Sequence, residues 1–153
     1  MPLLPRSFIM SLARGLGWLA CQLDSRGRRT ARQNLRAALG NDLSEAEIRR
    51  ITVGSYQNFA RTFLDLFWSP ALTQANWQDH VSIIMDDPEA EAKARTTGAV
   101  WVTPHFGNFE FVSLVWGFRG VKFTMVTQDF KNPALTGIFT GLRQSSGHTV
   151  ISQ

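Results

Sequence analysis

The stretch Gly98-Ala99-Val100-Trp101-Val102-Thr103-Pro104-His105-Phe106-Gly107-Asn108-Phe109-Glu110-Phe111 marks the point where a helical sequence becomes an α/β one. Ala99 to Thr103 is a short, nearly continuous apolar run, the pattern of a buried strand, and Pro104 ends it. Gly107-Asn108 predicts a turn. A helix apolar nearly all round, and therefore buried, is expected from there to about Phe118. Downstream, Val121 to Thr127 reads as a second strand. Asn132-Pro133 starts a helix with Leu135, Ile138, Phe139 and Leu142 on one face, Gly147 stops it, and Thr149-Val150-Ile151 begins a third strand. Strand, helix, strand, helix, strand predicts a parallel sheet. No helix follows the third strand, and parallel strands normally have both faces covered, so truncation is expected. The expected fold class is α/β: N-terminal helices, then the first strands of a parallel or mixed sheet built of βαβ units.

Upstream, Phe8 to Leu23 is apolar but only sixteen residues long, with Arg14 inside it. Spanning a bilayer takes about 20 apolar residues, so a helix lying in the membrane interface fits better than a spanning one or a signal peptide. A plain core helix is the other reading. Ser25 to Leu39 has helical periodicity and places Arg29, Arg32 and Arg36 on one stripe. Such a stripe is ordinarily a solvated face. Beside an apolar helix it is also suited to lipid phosphates. Ser44 and Glu47 form a capping box with Leu43 and Ile48 as its staple, opening a helix that Ser69-Pro70 ends. Asp86-Asp87-Pro88 opens another, Glu89 to about Arg95. The expected organisation is a membrane-associating basic helical region (1–40), a helical segment (41–97) and the first part of a catalytic α/β domain (98–153).

Charge is distributed unevenly. Residues 1–36 carry seven arginines against the single acid Asp24, whereas the remaining chain has nine basic and eleven acidic residues. A basic front on a slightly acidic body suits phosphates or an acidic partner. Nucleic acid is not expected, because no aromatic platform interleaves with the arginines. With 44% hydrophobic residues the chain can bury a core, and it does not read as disordered. Cys21 is the only cysteine, so an intrachain disulfide is excluded, and no activating partner is close by in sequence. The three histidines, His80, His105 and His148, are too scattered for a metal ligand set, and no metal or cofactor is expected.

His105 and Glu110 carry the candidate chemistry. Five residues apart on one helix they would point roughly 140° away from each other. Across a strand end, a turn at Gly107 and a helix capped by Asn108, they can converge. A histidine oriented by a carboxylate is a general base able to take a proton from a hydroxyl. With no serine or cysteine nucleophile beside it, that hydroxyl belongs to a substrate, which suggests direct acyl transfer. Taken alone, the pair is explained equally well by a histidine closing a strand and a carboxylate favoured at a helix start.

The block His105-Phe106-Gly107-Asn108-Phe109-Glu110 resembles the H-x-G-N-[WF]-E block of the late lipid A biosynthesis (lauroyl/myristoyl) acyltransferases, within the lysophospholipid acyltransferase superfamily. The glycerolipid branch more often ends this block in Asp, so Glu110 leans toward the lipid A branch. Arg28-Arg29-Thr30-Ala31-Arg32-Gln33-Asn34-Leu35 is similar to the family's early Arg and Asn-Leu segment. Ser44 to Arg61, Asn132-Pro133, Arg143 and Gly147 follow its pattern too, so the likeness covers about residues 6 to 151, the N-terminal part of a full member.

The resemblance implies transfer of a fatty acyl chain from acyl carrier protein, or a coenzyme A thioester, to a hydroxyl of a lipid A precursor. His105 is implied as base and Glu110 as its partner, with Arg143, Asn108 and Gly107 toward substrate and Arg29, Arg32 and Arg36 toward headgroups. Location at the cytoplasmic face of a bacterial inner membrane, peripheral or N-terminally anchored, follows from the same likeness. The alternatives are a lysophospholipid or other lipid acyltransferase, and a non-catalytic membrane-surface fragment.

Overall fold

The computed structural model describes residues 4–40, 42–104 and 106–152, and of Glu110 the backbone alone. Six α-helices, two single-turn 3-10 helices (Ser69–Ala71 and Trp77–Asp79) and a two-stranded parallel sheet make up the regular structure of the described residues. The chain divides into two compact units, one ending at Asp65 and the other beginning at Leu66.

The first unit holds α1 (Arg6–Leu23), α2 (Ser25–Leu39) and most of α3 (Glu45–Trp68). Along α1 the buried residues are Ile9, Ala13, Gly17 and Cys21, one per turn, and three of the four are small. That stripe lets backbones approach closely: a Cβ on Gly17 would sit 2.7 Å from Gln57 N and 2.8 Å from the Tyr56 carbonyl oxygen. Gln57 Nε2 also donates to the Arg14 carbonyl at 3.2 Å. At the far end Arg6 clasps the fully buried Asp65 with both terminal nitrogens, Nη2 to Oδ2 at 2.9 Å, and Arg61 Nε stands 3.6 Å from the same carboxylate. These pairings run α1 antiparallel to α3.

Between α1 and α2 the chain turns on Asp24, whose carboxylate caps α2 by accepting from Gly27 N at 2.8 Å and also accepts from the Tyr56 hydroxyl at 2.8 Å. Arg28 donates to the Cys21 and Gln22 carbonyls, satisfying acceptors that the end of α1 leaves open. The expected capping box is in place at α3, where Ser44 N and Oγ donate to Glu47 Oε2 at 2.9 and 2.7 Å and Glu47 N returns a bond to Ser44 Oγ at 3.3 Å.

The second unit holds the last turn of α3, then α4 (Pro88–Thr97), α5 (Phe109–Phe118), β1 (Thr124–Thr127), α6 (Pro133–Gln144) and β2 (Thr149–Ser152). The two strands pair in parallel, Thr124 with Thr149 through Thr127 with Ser152, and α6 is the crossover between them. This is one βαβ unit, as the downstream sequence pattern predicts. Phe139 on α6 is its apolar anchor, buried against Phe67 (edge-on, 5.8 Å between ring centroids) and Phe130 (4.6 Å). Each such pair contributes about 0.5–1.5 kcal/mol beyond the area it buries.

Three local expectations are corrected. Residues 99–103 form no strand. Val100 and Val102 are 93% and 92% exposed, and Trp101, itself 43% exposed, rests against Trp116 and Phe123 at 5.2 and 5.5 Å between rings. A continuous apolar run favours a strand, yet a strand also needs a neighbour for its backbone groups, and among the described residues none is paired with this segment. The strand expected from Val121 starts only at Thr124, because the Phe123 amide is already donated to the His148 ring. On α6, Leu135 and Ile138 are exposed and only Phe139 of the expected face is buried.

Candidate active site

The turn entering α5 is built by two residues. Gly107 has φ +59°, a left-handed conformation that costs glycine little, and nothing lies within 4 Å of where its Cβ would stand. Asn108 follows as N-cap, its side-chain oxygen accepting from Phe111 N at 3.3 Å. Glu110 therefore falls in the first turn of α5, where the helix dipole favours a carboxylate. His105 and the Glu110 side chain lie outside the described residues. The described backbone between them, residues 106–109, is a bend followed by the start of α5.

Helix α5 is held along its length. Phe111 in its first turn stacks on the buried Trp68, with rings 6.3 Å apart and 12° from parallel. In its middle the Ser113 carbonyl accepts from His148 Nε2 at 2.6 Å. One turn on, a Cβ at Gly117 would lie 2.6 Å from Ser146 Cβ and 2.7 Å from its Oγ, so only glycine allows this approach. Beyond its end, Arg119 donates to both oxygens of Glu91 at 2.9 and 2.7 Å, and Arg95 donates to Glu91 Oε1 at 2.6 Å. Hydrogen bonds from Arg119 and then Arg95 hold the buried Glu91 carboxyl below its ordinary range. The Arg119 guanidinium also covers the Trp116 ring at 5.0 Å.

Arg143 lies in the last turn of α6 with its guanidinium carbon 5.8 Å from the Phe139 ring centre. The arginine stripe of α2 belongs to the first unit. Arg32 and Arg36 both pair with Glu45, whereas Arg29 is exposed and has no carboxylate partner among the described residues. The face of α1 that turns away from its buried stripe exposes Phe8, Leu16, Leu19 and Leu23. Among the described residues no helix is long and apolar enough to cross a membrane, and no cluster of three metal-ligating side chains occurs.

Sequence reasoning missed Glu91, Asp65 and His148 as organising residues. The partners Arg119 and Arg6 are 28 and 59 positions from their carboxylates, and His148 bonds Ser113 and Phe123 from 35 and 25 positions away. The i, i+4 spacings of Glu91 with Arg95 and of Arg61 with Asp65 were the local signals available.

Comparison with curated proteins finds no match, and neither does comparison with solved structures. The family model described as bacterial lipid A biosynthesis acyltransferase matches residues 1–153. With the whole chain under that match, the protein belongs to the bacterial lipid A biosynthesis acyltransferase family.

Proposed function

We propose that the protein transfers a fatty acyl chain from an acyl carrier protein or coenzyme A thioester to a hydroxyl of a lipid A precursor, with His105 as general base and Glu110 as its partner. The observation that carries this reading is the turn itself. Gly107 at φ +59° and the Asn108 cap set Glu110 at the start of α5, immediately after the segment that ends in His105. In that arrangement a carboxylate can hold the imidazole in one tautomer and stabilise its charged form.

His105 takes the proton from the acceptor hydroxyl as the oxygen attacks the thioester carbonyl. The tetrahedral intermediate then collapses, the carbon–sulfur bond breaks, and the departing thiolate recovers the proton from the imidazolium. No covalent acyl-enzyme is required, and the thiol of Cys21 is sealed in the first unit. Arg143, with a fork of donors suited to phosphate, and the polar turn at Gly107-Asn108 are assigned to substrate binding. Phe8, Leu16, Leu19 and Leu23 would enter the bilayer interface at the cytoplasmic face of the inner membrane, with Arg29, Arg32 and Arg36 near headgroup phosphates.

The test is acyl transfer by membranes containing the gene product that includes residues 1–153, using both thioester donors and a panel of hydroxylated lipid acceptors. Loss of the base is expected to lower the rate by about 10²–10⁴ in His105→Ala, with a large loss in Glu110→Ala as well. Transfer that survives both substitutions would discard the dyad. Absence of transfer from every donor to every acceptor would leave a membrane-surface module as the better account.

A further inference from the structure

The segment leading to His105 and the helix carrying Glu110 rest on a common support. Trp101, four residues before His105, packs against Phe123 at 5.5 Å between rings, and Phe123 stacks on the His148 imidazole at 5.1 Å and 14° from parallel. His148 in turn bonds α5 at the Ser113 carbonyl, 2.6 Å away, three residues past Glu110. Its other nitrogen, Nδ1, accepts the Phe123 amide at 3.1 Å. One ring nitrogen donates and the other accepts, which fixes the Nε2–H tautomer and the plane of the ring. The residue is 4% exposed, so water offers no ready substitute for either bond. Gly117 against Ser146 adds a close backbone approach one turn along the same helix.

From this geometry we propose that His148 is a positioning residue, which together with Phe123 sets the placement of Trp101 and of α5, and through them of the two halves of the H-x4-E block. The proposal rests on the reading of His105 and Glu110 as the reacting pair. The reasoning is one of leverage. A base and its orienting carboxylate work only within a narrow range of separations, and a displacement of about 1 Å can cost on the order of 10²-fold in rate. His148 joins α5 to the residues just before β1, so loss of its two bonds frees the helix to shift along the βαβ unit.

The experiment compares His148→Phe, which keeps an aromatic ring for Phe123 but removes both bonds, with His148→Gln, whose amide can still donate toward Ser113. Acyl transfer is measured on membranes containing each variant, with Glu110→Gln in parallel. Amide hydrogen exchange is followed at residues 113–117 and at Phe123. His148→Phe is expected to lower kcat by roughly 10- to 100-fold with KM little changed, and to speed exchange across α5. His148→Gln is expected to restore much of both. Unchanged exchange in folded His148→Phe overturns the proposed seat, and faster exchange with unchanged kcat overturns its catalytic consequence. If His148→Phe does not fold, His148→Gln decides: exchange and kcat that differ from one another in direction count against the proposal. If Glu110→Gln leaves transfer unaltered, the dyad reading fails instead, and the exchange arm alone still judges the seat.

Discussion

Tyr56 is the only tyrosine of the chain, so a tyrosinate absorbance titration reads this one side chain. Burial, followed by its hydrogen bond to Asp24 and that carboxylate's charge, pushes its hydroxyl from 10.0 up to about 12. The raised value means that the protonated phenol is favoured by folding. The stabilisation it gives is complete below pH 10.0 and is lost as pH climbs toward 12. The expected titration midpoint is therefore near 12 in the native protein, falling only part of the way toward 10.0 in Asp24→Asn, where the charge is gone but the burial and an N-cap side chain remain. A midpoint near 10.0 in both proteins would mean that the Asp24–Tyr56 bond does not persist in solution.

At the scale of elements, Gly15 and Gly17 make a controlled comparison within one helix. A Cβ on Gly15 meets nothing within 4 Å, whereas one on Gly17 runs into the backbone of Tyr56 and Gln57. Gly15→Ala is expected to stabilise the protein by about 0.5–1 kcal/mol, since alanine is the better helix former. Gly17→Ala should destabilise it by about 1–3 kcal/mol, because α1 must move away from α3. Denaturant midpoints of the two variants check the opposite signs. The same contrast explains what the sequence disclosed. Caps and turns are decided by neighbours a few residues apart, so Ser44 with Glu47, Asn108 and Asn132 were readable, as were the bounds of α2. The close approach at Gly17, the Arg6–Asp65 clasp and the seat of α5 on His148 depend on distant partners and left no local signature. Residues 99–103 show the converse: an apolar pattern typical of a strand, in a place where no neighbouring strand pairs with it. In the candidate site, the block and its turn were visible in the residues, while the supports beneath α5 were not.

At the scale of the whole molecule, the exposed apolar side of α1 and the arginines of α2 both belong to the first unit. Glu45 is shared by Arg32 and Arg36 in exposed ion pairs, which contribute little and are readily exchanged for other anions. For binding to vesicles with anionic lipid, each arginine near the surface contributes about 1 kcal/mol, or roughly fivefold. Arg29→Gln is expected to weaken vesicle binding by about that factor and Glu45→Gln to strengthen it, both effects shrinking as salt is raised. Equal binding by all three proteins would separate the arginine stripe from any role at the lipid surface. The small-residue stripe of α1 also provides an internal clock. Cys21 is the single thiol of the chain and is 1% exposed on the face that packs inward. An alkylating reagent can reach that thiol only when the helix lifts from its bed, so the labelling rate measures how often the N-terminal helix detaches, in free protein and on vesicles alike.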